Sequence, residues 1–300
     1  MQRAVWYVVG VVGMTLVGAE AGLRIGGFID TPVYDVDART GYIPAANQSG
    51  SFLNTRDYAI NADHMGTPVP FVPGPGLDVL LVGDSIVWGG NPYKAQERLA
   101  PQLQVATDAQ VWPISAGSWS LVNQLNYLED RPAVVAGSDR IVFILNQADF
   151  GAPSSWQNPL THPRKPPRLA LQYYVQKYLL KTQPPPTPAE LVVPAEEPFA
   201  KLAAFLAECE CEADFWIYPT KAQLLGTDAG PTAAEMRADM ITRAGVEPEH
   251  VRLVQDISGW SADLYKDAIH PTPDGFGVLA QGIAATLPPA AIAAAVPTGG

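Results

Sequence analysis

The sequence predicts a three-layer α/β domain of flavodoxin-like character, its parallel sheet preceded by an N-terminal hydrophobic helix. Two observations predict it. First, short apolar runs at 79–82 (VLLV), within 104–114, and at 140–145 (RIVFIL) alternate with segments of helical spacing. The rhythm continues with a helical pattern at 200–206, a strand-like one at 214–218 (DFWIY), helical at 233–244, strand-like at 251–254 and helical at 273–287. A strand that is apolar on both sides is covered on both faces, and strands that alternate with helices pair in parallel through helical crossovers. Second, 300 residues of which 47% are hydrophobic are enough to bury a full core.

In chain order, residues 1–24 come first. A weakly positive lead of Met1, Gln2 and Arg3 is followed by 4–21 (AVWYVVGVVGMTLVGAEA), apolar until Glu20. Such a run approaches the length that crosses a bilayer and lacks the polar face of a surface helix. Two readings follow, an uncleaved signal anchor or a signal peptide cut near Ala19 or Ala21. We read it as an anchor with the rest of the chain outside the cytoplasm; a cleaved segment would make the protein secreted. Residues 25–76, rich in Pro, Gly, Asn and Asp, read as an irregular or short-stranded lead-in. The main domain is expected over 77–290. A proline-loaded insertion at 153–198 (HPRKPP, QPPPTP) interrupts it around a helix at 169–180 that carries Tyr173, Tyr174 and Tyr178. That insertion reads either as a surface excursion packed through those aromatics or as a lid over the site. Residues 291–300 form an Ala- and Gly-rich tail.

A net charge of −11 with only 19 Lys and Arg argues against nucleic acid as a partner, because phosphate is held by clustered cations. The same balance repels anionic head groups, so membrane association is expected from hydrophobic insertion of the N-terminal helix. The two cysteines, Cys209 and Cys211, are one residue apart. In a helix or strand that gap points the thiols away from each other, so they are expected to be unpaired with one another and inert. No metal-ligand spacing, phosphate loop or dinucleotide fingerprint is present, and no cofactor is expected.

The chemistry points to two ends of the domain. Gly83-Asp84-Ser85 directly follows the 79–82 run, placing a serine at the carboxyl end of a strand, where a helix start offers backbone N–H groups to an oxyanion. Serine is also a favoured N-cap, which is the competing structural reading. Far downstream, Asp267 and His270 stand in DAIHPTPDGF, just before a helix. Serine needs a base to take its proton and a carboxylate to orient that base, and His270 and Asp267 supply both from one loop. His64, His162 and His250 lack that context. Trp88 and Trp119, near the site, read either as stacking surfaces for a sugar or as simple packing.

These two blocks, Gly83-Asp84-Ser85 and Asp267-x-x-His270-Pro271, resemble in their order the first and last blocks of the SGNH (GDSL-type) hydrolases, over roughly residues 78–287. The resemblance implies that family's α/β/α fold, with Ser85 as nucleophile, His270 as base and Asp267 completing the triad. It further implies an oxyanion hole from the Ser85 backbone, a glycine after the second strand, and a third-block asparagine. Gly117 is the candidate glycine, with Ser118 one position away. The third block departs from the family pattern of Gly-x-Asn-Asp: the chain reads Leu145-Asn146-Gln147-Ala148-Asp149, so Asn146 must reach the hole from a different place. The activity implied is that of a serine esterase on an acyl ester, with O-acyl groups on an envelope or exported polysaccharide as the expected substrate. Two other classes stay open, an O-acyltransferase with a glycan acceptor and a non-catalytic binding module of an envelope assembly.

Overall fold

A computed structural model describes residues 2–181 and 185–288; the tail expected at 291–300 lies outside the described residues. The chain begins with α1 (Gln2–Ile25), an apolar helix with none of its residues buried in the protein. The lead-in takes the short-stranded of its two expected forms. It folds into two antiparallel hairpins, β1 (Tyr34–Asp37) with β2 (Gly41–Pro44), and β3 (Gln48–Phe52) with β4 (Arg56–Ile60). Tyr42 and Ile43 from β2 enter the main core, which composition alone did not reveal.

The domain proper starts at β5 (Asp78–Gly83), followed by the short α2 (Ser85–Trp88), α3 (Leu99–Thr107) and β6 (Gln110–Ser115). After these come α4 (Leu121–Glu129), α5 (Pro132–Ala136) and β7 (Arg140–Leu145), then the insertion with α6 (Ala170–Tyr174). The second half runs through α7 (Pro198–Glu208), β8 (Ala213–Ile217), α8 (Lys221–Leu224), α9 (Ala233–Ala244), β9 (Val251–Leu253) and α10 (Pro273–Ala284). The five strands form one parallel sheet in the order β6-β5-β7-β8-β9, the flavodoxin-like arrangement.

Burial follows the two-residue period of each strand. Leu80 and Val82 of β5 pack with Trp112, Phe143 and Phe215 against α4, α7 and α9, while Val79 and Leu81 pack with Val111, Val142 and Ile144 against α2, α3 and α10. Both faces are covered, and this is why the strands read as unbroken apolar runs. The order reverses at β5, which has β6 on one side and β7 on the other. In open parallel sheets this switch point opens a crevice at the carboxyl ends of the strands.

The cysteine expectation is corrected. Cys209 and Cys211 form a disulfide, with their Cα atoms 5.1 Å apart. The assumption of a regular element failed: α7 ends at Glu208, and the Cys211 N–H bonds back to the Cys209 carbonyl in a tight turn that brings both side chains to one side. The insertion helix covers most of its expected span but changes form along it. α6 gives way after Tyr174 to a wide π-type turn over Val175–Leu179.

Candidate active site

The strand register places the site. Gly83 pairs with both Ser115 of β6 and Ile144 of β7, so these three adjacent strands run to nearly the same level. Ser85 and Gly117 each lie two residues beyond a paired position, and so does Asn146, which brings the three loops side by side at the switch point. Gly83 has to be glycine, because a Cβ there would come within 2.6 Å of the Val87 side chain and 3.0 Å of the Ile144 carbonyl.

The N-cap of α2 is Asp84. Its Oδ1 accepts the Ile86 N–H at 2.8 Å, so the Ser85 hydroxyl is free of the capping role that serine often takes. That hydroxyl lies 3.0 Å from His270 Nε2. His270 Nδ1 in turn lies 2.9 Å from Asp267 Oδ2. Nor does Asp267 cap the next helix; Thr272 does, accepting the Gly275 N–H. Asp267 instead organises its own loop: Oδ1 accepts the Ile269 and His270 N–H groups at 3.0 and 2.8 Å. Partial burial works against ionisation of Asp267, but those N–H groups and the imidazole outweigh it and hold the carboxyl below its ordinary range. The loop is tied down by the Tyr93 hydroxyl, which donates to the Pro271 carbonyl at 2.6 Å, and by the Lys221 N–H to the Ala268 carbonyl at 2.9 Å. Ser85, His270 and Asp267, read from the sequence as one set, are therefore brought together.

Gly117 lies at the surface of the site in the turn after β6, and among the described residues no hydrogen bond engages its N–H or that of Ser85. Gly117 and Ser118 are braced from elsewhere in the chain. The Tyr42 hydroxyl donates to the Gly117 carbonyl at 2.7 Å, and the Ser154 hydroxyl donates to the Ser118 carbonyl. Tyr42, pushed up to about 12 by burial, stays a neutral donor. The lead-in hairpin and the start of the insertion thus hold one wall of the site. The insertion's helix is elsewhere, against the end of α1 and the turn after it, where the Tyr174 and Phe28 rings meet edge to face at 6.0 Å.

Asn146 is 1% exposed and reaches the site because it directly follows β7, the neighbour of β5. Its Nδ2 donates to Asp84 Oδ2 at 3.0 Å, its Oδ1 accepts the Ala148 N–H at 2.9 Å, and its own N–H donates to Asp149 Oδ2 at 2.8 Å. One Nδ2 hydrogen is left over. Sequence reasoning missed the two acids this residue joins. Asp84 is 5% and Asp149 0% exposed, the latter also accepting from Gln124 Nε2 at 2.6 Å. The available signal was the Asn146-x-x-Asp149 spacing, a reciprocal cap. Trp119, 1% exposed with its indole N–H on the Tyr42 carbonyl, is a packing residue, so the sugar-stacking alternative fails there for lack of surface; Trp88 is buried too. Among the described residues no group of three or more His, Cys, Asp or Glu side chains is placed to hold a metal ion.

Burial raises Asp84 to about 6, and burial followed by the Asp84 charge pushes Asp149 up as well. A carboxyl whose folded pKa exceeds its unfolded one favours the fold when protonated, so that contribution is lost as pH rises from about 4 through 6. Asp149→Asn removes one such group and keeps an acceptor for the Asn146 N–H. Its new amide N–H finds the Gln124 Oε1, which is buried without a partner, once the Gln124 amide flips. Relative to this variant, the wild type is expected to lose melting temperature as pH rises above about 4; a constant difference in thermal melts would show that the acid pair carries no such cost.

Comparison with known proteins returned no matching family model and no matching curated sequence. Among solved structures, a member of the lipolytic protein G-D-S-L family from Veillonella parvula is similar at 12% identity, over 70% of this chain and 98% of that one, with a TM-score of 0.42. A family two carbohydrate esterase from Clostridium thermocellum matches at 12% identity over 72% of this chain and 65% of that one, with a TM-score of 0.40. An acetyl xylan esterase from Butyrivibrio proteoclasticus matches at 14% identity over 71% and 64%, with a TM-score of 0.38. At these identities and TM-scores no residue role transfers from them, and the site stands on its own geometry: a serine, an imidazole and a carboxylate in series at the switch point of a parallel sheet.

Proposed function

We propose that this chain is an SGNH-type serine esterase that passes an acyl group from an ester to water through acyl-Ser85. The observation that carries the reading is the continuous hydrogen-bonded series from Ser85 Oγ to His270 Nε2 and from His270 Nδ1 to Asp267, beside two unengaged backbone N–H groups. With Nδ1 protonated and held by Asp267, Nε2 is free to take the Ser85 proton as Oγ attacks the carbonyl carbon. The oxyanion that forms is met by the N–H groups of Ser85 and Gly117 and by the remaining Nδ2 hydrogen of Asn146. His270 then returns the proton to the departing alkoxide, leaving the acyl-serine. Water attacks by the same steps in reverse, and free acid and the serine hydroxyl result.

The side chains of His270 and Asp267 are 33% and 51% exposed. A triad that open suits an acyl group displayed on a large substrate, such as an exported polysaccharide, better than a small ester engulfed in a deep pocket. α1, with a length of about 36 Å, is long enough to span a bilayer, and none of it is buried. The Cys209–Cys211 disulfide fits a compartment outside the cytoplasm. Both support a membrane-anchored enzyme with its catalytic domain outside.

A fluorophosphonate probe tests the reading. It is expected to modify Ser85 and to fail on His270→Ala; absence of modification in the folded wild type would mean a binding module. With short-acyl esters, hydrolysis unaltered by an added oligosaccharide, and no acylated oligosaccharide formed, is expected; acceptor-dependent ester formation would make the enzyme a transferase.

A further inference from the structure

Residues 164–181 contain Arg164, Lys165, Arg168, Lys177 and Lys181 and no acid, five of the 19 basic residues of a chain with net charge −11. Arg164, Lys165, Arg168 and Lys181 are exposed. Exposed with them are apolar side chains, Leu169, Leu179 and Leu180 at 55, 65 and 67%. This surface is fastened to α1. Glu20, the acid that interrupts the apolar run, accepts the Ala170 and Leu171 N–H groups at 2.9 and 2.8 Å and so caps α6, while Arg24 donates to the Arg168 carbonyl at 2.5 Å. Glu20 and Arg24 lie in the last two turns of α1, so the basic segment stands beside the end of the helix that leaves the apolar run.

We propose that residues 164–181 form a second membrane contact, lying on an anionic bilayer surface next to the anchor. The inference rests on the reading of α1 as a membrane anchor. Clustered cations are drawn to an anionic leaflet, and aromatic and aliphatic side chains between them enter the head-group boundary. The sequence-wide charge argues against a basic patch, but the insertion concentrates cations where the anchor emerges. A segment held at both the domain and the membrane sets the height and tilt of the catalytic domain over its substrate.

The test uses the full chain in vesicles. Both native cysteines are in the disulfide, so a single introduced cysteine takes a fluorophore uniquely. A label at Leu179→Cys is expected to be quenched by spin-labelled lipid in vesicles of phosphatidylcholine with added phosphatidylglycerol, and a label at the exposed Leu225→Cys is not. Changing Arg164, Lys165 and Arg168 to Gln is expected to reduce the Leu179 quenching to the Leu225 level without altering ester hydrolysis. Equal labels on a chain that floats with the vesicles overturn this inference alone; a chain that does not float overturns the anchor reading with it. Protection of the label without vesicles would show self-association, and protection by an added anionic polysaccharide alone would show a glycan site; either result overturns the proposal.

Discussion

Ser85→Ala is expected to lower kcat/KM on short-acyl esters by about four to six powers of ten, and His270→Ala by a similar amount. The two act as one unit, so the double variant is expected to be no slower than either single one; summed losses would mean that they serve separate steps. Asp267→Ala is expected to cost less, because Asp267 meets the reacting groups only through His270 and is itself half exposed, so water can partly solvate the imidazolium in its absence. Steady-state rates on purified variants with unchanged thermal melts decide the matter. Retention of activity by Ser85→Ala to within about tenfold of wild type would end the acyl-serine mechanism.

Asn146→Ala is expected to lower kcat by about two to three powers of ten, the usual cost of one oxyanion donor, with KM little changed. It is also expected to destabilise the fold by about 1–3 kcal/mol, since the buried Asp84 Oδ2 loses its partner and the Ala148 N–H loses its cap. The two effects separate its roles. The rate of fluorophosphonate modification falls with kcat if Asn146 donates to the oxyanion, because the phosphonyl oxygen occupies the same place. If melting temperature falls and both rates hold, Asn146 is only the clip between Asp84 and Asp149, and the hole consists of the Ser85 and Gly117 N–H groups.

Much of this was legible in the chain itself. Alternation of doubly apolar runs with helical spacing marks a covered parallel sheet because the periods of strand and helix are local properties, and β7 over Arg140–Leu145 and α9 over Ala233–Ala244 appear with the ends expected of them. The grouping of Ser85, Asp267 and His270 as candidates, which the fold brings together, was legible for a similar reason. Nucleophile, base and acid are residue types whose chemistry restricts them, and each is placed by a nearby strand end or helix start. The disulfide was not legible, since whether two cysteines one residue apart can meet depends on where α7 stops, and that is decided by packing.

What only the tertiary structure decided concerns which polar group takes which partner. Asp84 and Ser85 are both good caps by composition; burial of Asp84 against Asn146 assigns the cap to the acid and leaves the hydroxyl for His270. The link between Asp84 and Asp149 through Asn146 crosses from β5 to β7, strands whose adjacency follows from sheet order and not from local sequence. Glu20, a blemish in an apolar run when read alone, caps a helix 150 residues later. The sequence by itself determined the layers, the strands and the choice of Ser85, Asp267 and His270 as candidates, because these depend on local period and residue chemistry. Hydrogen-bond allocation in a buried site depends on which loops come to lie side by side, and for this chain that was decided by five strands ordered around β5.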